Sequence, residues 1–70
     1  MATPLKKFEF ENTRRAMEVS AAWEGSVVVR MHGKTYVMTQ EYADELAARG
    51  KEFAYLCDHG GRIVTVPVND

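Results

Sequence analysis

The sequence is poor in the residues that build special chemistry. It holds one cysteine and two prolines, and its charges nearly cancel, leaving a formal net charge of −1. One cysteine closes no internal disulfide and supports no four-cysteine metal framework. The unbroken apolar runs, Val27–Val29 and Ala54–Cys57, are short; a bilayer-crossing helix needs about 18 consecutive apolar residues, so no membrane partner is expected. The near-neutral charge removes the electrostatic footprint of a sequence-independent nucleic-acid binder. Lys6 and Lys7 have no apolar stretch behind them, which predicts no signal peptide and a cytoplasmic location.

The chain has 70 residues, 46% of them apolar and 27% charged, enough for a single domain spanning residues 1–70. A domain of this size buries only about 60% of the surface its unfolded chain exposes. Self-association would add burial, so a homodimer is expected. Pro4 and Pro67 lie near the ends, and Gly25, Gly33, Gly50 and Gly60-Gly61 divide the chain into hairpin-length and helix-length segments.

Residues 26–39 read as a hairpin. Val27, Val29 and Met31 alternate with Val28, Arg30 and His32, and Gly33-Lys34 fits a two-residue turn with glycine first. That turn pairs Met31 with Tyr36 and Val29 with Met38. One face is a core face; the other, with Val28, Arg30, His32, Thr35 and Val37, is only half polar. Thr39 then reads as a helix N-cap, with Glu41 in the first turn and Gly50 as the stop. Tyr42, Ala43, Leu46 and Ala47 share the helix's apolar face. After Gly50 the period changes to two: Phe53, Tyr55 and Cys57 are expected inside, opposite Val68, Val66 and Val64 if Gly60-Gly61 is the turn, and a turn at His59-Gly60 keeps the same two faces. Pro67 cannot donate to a ladder, which places the last strand at an edge or at its own frayed end.

The N-terminal third is less determined. Lys7–Phe10 reads as a strand. Residues 15–23 fit two templates: a strand with Met17, Val19, Ala21 and Trp23 on one face, or a helix capped by Thr13 with Ala16, Val19, Ser20 and Trp23 on one face. Strict alternation, and Arg14 and Arg15 at the unfavourable end of a helix dipole, tilt the reading towards the strand. The predicted fold class is α+β: a small antiparallel sheet of two hairpins (about 26–39 and 53–68) with one short helix (about 40–49) packed on it. An N-terminal strand and a second strand or helix complete it.

Chemistry finds little purchase. Cys57, Asp58 and His59 are contiguous, yet Cys57 shares its face with Phe53 and Tyr55, which describes a buried hydrophobe rather than an activated thiol. Together with His32 these side chains show neither C-x₂-C nor H-x₃-H spacing, so no metal and no cofactor are expected. Glu41, Asp44 and Glu45 read as a solvated helix face, and Gly60-Gly61-Arg62 joins two strands rather than a strand and a helix, as a phosphate loop would. The chain is therefore expected to be non-enzymatic.

What remains points to a protein partner. The first half is net positive and the second net negative. Arg14, Arg15, Arg30 and His32 form a basic set suited to an acidic partner, arginine especially because its planar fork pairs bidentately. Val28 lies on a face too apolar to be simply solvated, and Trp23 fits either the core or an interface anchor. The expected function is a small protein-interaction module. Its size and lack of chemistry suit a phage- or mobile-element-encoded inhibitor that blocks a larger host complex.

Thr39-Gln-Glu-Tyr-Ala-Asp-Glu-Leu, followed by Gly61-Arg62-Ile63, resembles part of the excisionase-type winged helix-turn-helix proteins over less than half of the chain. The resemblance implies a capped helix leading through a turn to a recognition helix and a wing, and a nucleic-acid-binding regulator using the basic N-terminal half. The alternation of Phe53–Asp58 and the lack of basic side chains there oppose a recognition helix, which makes nucleic acid the disfavoured partner.

Overall fold

A computed structural model describes residues 7–69 of the chain; Pro4, Lys6 and Asp70 lie outside them. The elements are β1 (Lys7–Phe10), α1 (Thr13–Ala22), β2 (Ser26–Met31), β3 (Lys34–Thr39), α2 (Gln40–Ala48), β4 (Phe53–His59) and β5 (Arg62–Val68). The strands form one sheet in the order β1-β3-β2-β4-β5, with every neighbouring pair antiparallel. This is an α+β domain with two helices packed on a five-stranded antiparallel sheet.

The helices lie on opposite faces. Val29, Met31, Met38 and Phe53 cluster with Ala43 of α2, whereas Val28, Val37 and Leu56 cluster with Ala16 of α1. Topology accounts for this. β1 and β2 are both antiparallel to β3, so α1 connects two parallel strands; α2 likewise connects β3 to the parallel β4, across β2. Both crossovers move the same way along the sheet, but they leave from antiparallel strands. Crossovers of one hand, right-handed by the general rule, then place their helices on opposite faces.

A sheet covered on both sides explains the run Val27-Val28-Val29. Where both faces are buried a strand reads as continuously apolar instead of alternating, and Val28, Val29 and Val37 are all buried. The half-polar face read from the sequence is thus filled at its centre by α1, and its apolar character no longer calls for a partner.

Residues 13–22 are a helix, correcting the tilt towards a strand. Asn12, not Thr13, is the cap: its side chain accepts a hydrogen bond from the Arg15 N–H at 3.2 Å, and the Thr13 hydroxyl instead lies 3.4 Å from that of Thr35. Arg14 and Arg15 do oppose the dipole, but such terms are worth about 0.3–1 kcal/mol at an exposed terminus. Removing Ala16 completely from solvent, with Met17, Val19 and Trp23 packed around the same cluster, outweighs them. At the far end Ser26 stops the helix. Its hydroxyl donates to the Trp23 carbonyl at 2.6 Å and lies 2.8 Å from the Ser20 hydroxyl, satisfying groups that a helix end leaves open.

The second helix follows the sequence reading, with the Thr39 hydroxyl accepting from Tyr42 N–H at 3.2 Å. The β4–β5 register is also as expected: Cys57↔Val64, Tyr55↔Val66 and Phe53↔Val68. The first hairpin differs by one turn position. Met31 pairs with Lys34 and Val29 with Tyr36, so the turn is His32-Gly33, with φ of 55° and 75°. Positive φ at both central residues is the type I′ turn, whose twist matches the strands. The shift moves each partner by two residues and leaves the faces unchanged.

Candidate interaction surface

The two helices cover the sheet unequally. α1 packs over β1, β3 and β2, and α2 over β3 and β2, so the far part of the β4–β5 hairpin extends past both. Burial follows this boundary. Phe53 and Leu56 are buried, whereas Tyr55 and Cys57 are half-buried. On β5, Ile63, Val64 and Val66 are exposed by 47%, 38% and 47%. The expectation that Cys57, Val64 and Val66 line the interior is corrected: the Gly60-Gly61 register forms, but neither helix of the described residues reaches far enough to close that end.

Tyr55 marks where the cover of α2 stops. Its ring packs edge-on against Phe53, with centroids 5.4 Å apart. Its hydroxyl accepts from the Gln40 side-chain amide at 3.0 Å, and that amide also donates to Asp44 at 2.9 Å. Among the described residues, no helix covers the face of Cys57, Val64 and Val66 beyond Tyr55.

β5 is also an open edge. A two-residue turn closes on a hydrogen-bonded pair, and the ladder then alternates. His59↔Arg62 closes the Gly60-Gly61 turn, so the backbone groups of Arg62, Val64, Val66 and Val68 face β4. Those of Ile63, Thr65 and Pro67 face outward. Pro67 falls on an outward position, where its missing N–H leaves the β4 ladder intact. The opposite edge is guarded. Along the described part of β1, Glu9 pairs with Lys34 at 3.3 Å, Lys7 sits over the Tyr36 ring, and Trp23 packs edge-on against Phe8. Charged side chains are one way in which proteins blunt an edge. β5 has seven residues and no charge after Arg62.

Beside the hairpin, β2 and β4 pair only over Val28↔Leu56, Val29↔Tyr55 and Arg30↔Ala54. Past Val28 the strands part, leaving a hollow of about 320 Å³ between them, roofed by Met17 and Ala21 of α1. An adjoining hollow is lined by Arg14, Met17, Asp58 and Ile63. The apolar surface therefore continues from the hairpin onto the flank of α1.

The residues assigned to partner binding from sequence do not converge. Val28 is buried beneath α1. Trp23 is half-buried against Phe8 and the α1 cluster. Arg15 is exposed and paired with Glu18 at 3.4 Å. Arg14 faces the hairpin hollow, while Arg30 lines a different one with Thr13 and Thr35. His32 is exposed in its turn. Sequence reading missed Ile63, Val64 and Val66 as surface residues; the signal available was the uncharged run 63–68 beside Pro67, an edge marker.

Among the described residues no group of three or more His, Cys, Asp or Glu side chains is placed to hold a metal ion, and no helix is long and apolar enough to cross a membrane. Residues 53–59, where a recognition helix would stand in the excisionase comparison, are strand β4. The fold thus defines a small α+β domain with one guarded and one open sheet edge. No protein-family model matches the chain, and neither a curated protein nor a solved structure shows significant similarity to it.

Proposed function

We propose that the chain is a non-enzymatic protein-interaction module that engages a partner protein through β5 and the uncovered face of the β4–β5 hairpin. The observation that carries this reading is the combination on one strand of outward backbone groups and exposed Ile63, Val64 and Val66. An added strand would satisfy the first and bury the second. Strand addition draws affinity from main-chain hydrogen bonds and specificity from alternate side chains. An inhibitor encoded by a phage or mobile element, blocking a larger host complex, is the finer form of the proposal; its support is the β5 edge, which a strand of a larger partner could extend.

A photo-crosslinking benzophenone amino acid placed at Thr65, and in a separate variant at exposed Ala48 on α2, tests the reading. In extracts of the source cell, position 65 is expected to form discrete adducts with protein and position 48 none. Equal labelling from both positions, no adduct from position 65, or adducts with nucleic acid would overturn it.

A further inference from the structure

We infer that the occupant of the β5 edge is a second copy of this chain, joined antiparallel about a two-fold axis at Thr65. The inference rests on the interaction-module reading above and specifies its partner. The strand is complementary to itself. With Thr65 opposite Thr65, Val64 of each copy faces Val66 of the other on the Cys57 side, and Ile63 faces Pro67 on the α1 side. Cross-strand side-chain pairs are the unit of sheet stabilisation.

The outward backbone groups fit the same register. Each Thr65 N–H donates to the other copy's Thr65 carbonyl, and each Ile63 N–H to the other copy's Pro67 carbonyl. Every outward N–H of residues 63–67 then has an acceptor, because Pro67 has none to place. One bond is lost opposite each proline, at the rim of the pairing, where water reaches the Ile63 carbonyl.

Charge does not oppose the contact. Residues 63–68 carry none, and a net charge of −1 gives two copies almost no mutual repulsion. The guarded β1 edge argues in the same direction. Lys7 and Glu9 protect one side of the sheet against strand addition, and among the described residues nothing comparable stands on β5. Pairing at β5 joins two five-stranded sheets into one of ten and leaves a β1 edge at either end. The assembly is closed by its two-fold and does not propagate.

Sedimentation equilibrium of the purified chain from about 1 μM to about 1 mM, the range of modest affinities, is expected to show a monomer passing to a dimer and no larger species. Thr65→Arg places like charges directly opposite each other. It is expected to weaken the dimer at least about tenfold while leaving the circular dichroism spectrum unchanged, since Thr65 is exposed. In a Cys57→Ser background, Thr65→Cys is expected to form an interchain disulfide on mild oxidation. Directly opposed hydrogen-bonded residues have Cα atoms about 5.5 Å apart, within disulfide reach.

A monomer throughout, a dimer insensitive to Thr65→Arg, or cross-linking through Val64→Cys in place of Thr65→Cys would overturn the inference. If the chain stays monomeric while the benzophenone at position 65 captures a different protein, this inference falls and the interaction-module reading stands. If neither occurs, both fall.

Discussion

Replacing Ala16 by aspartate is expected to abolish the cooperative fold. Ala16 is completely buried between α1 and the sheet, beside Val28, Val37 and Leu56. The side chains clustered around it are apolar, so a carboxylate there finds no cation among them and no exposure to water. Leaving a charge uncompensated in an interior costs about 3–5 kcal/mol. The whole stability of a domain follows about 0.05–0.15 kcal/mol per residue, roughly 4–10 kcal/mol at this length. One substitution therefore removes a large share of the total. Chemical denaturation followed by circular dichroism is expected to show no folded baseline for Ala16→Asp, or a midpoint close to zero denaturant. Ala22→Asp, at an exposed position of the same helix, is expected to cost about 0.5 kcal/mol through the dipole. The pair also separates helix from strand, since a strand over residues 15–23 puts Ala16 and Ala22 on one face and requires similar effects.

Met38→Ala is expected to cost about 3 kcal/mol, within the about 2–5 kcal/mol found for large-to-alanine changes at buried sites. Met38 is among the largest fully buried side chains, packed on the α2 face with Val29 and Ala43. Truncation removes its burial and leaves a cavity that two rigid neighbours, the α2 backbone and the sheet, prevent from closing. The contrast is Val66→Ala. Val66 has the same alternation and the same sheet face, but it is 47% exposed, so its truncation is expected to cost about 0.5 kcal/mol or less at low protein concentration. Urea titrations of the two variants measure the difference. Equal losses would mean that β5 is as well covered as β3.

Much of the fold was legible in the sequence because local chemistry spelled it out. The alternation on either side of Gly60-Gly61 made the two faces of the β4–β5 hairpin legible, with the turn itself open between Gly60-Gly61, which forms, and His59-Gly60; Thr39 with Gly50 bounded α2 nearly to the residue. The first turn was misplaced by one position because His32 takes a φ of 55°, a conformation that glycine is the usual signal for. Helix α1 was ambiguous for a different reason. Met17, Val19, Ala21 and Trp23 alternate by coincidence, while Ala16, Val19, Ser20 and Trp23 carry the helical stripe, and only tertiary burial chooses between them. Coverage was the least legible property. Alternation tells which residues share a face, not whether another element lies over that face. Val28 looked uncovered and is roofed by α1; Val64 and Val66 looked covered and are not.

The open edge of β5 is tested most directly by amide hydrogen exchange, residue by residue, on dilute monomeric chain. Val64 and Val66 are expected to be protected through their bonds to β4. Ile63 and Thr65 are expected to exchange faster by roughly a factor of ten or more, at rates near those of an unstructured segment. Equal protection of all four amides in dilute solution would contradict an exposed edge, because it requires the chain to cover β5 by itself.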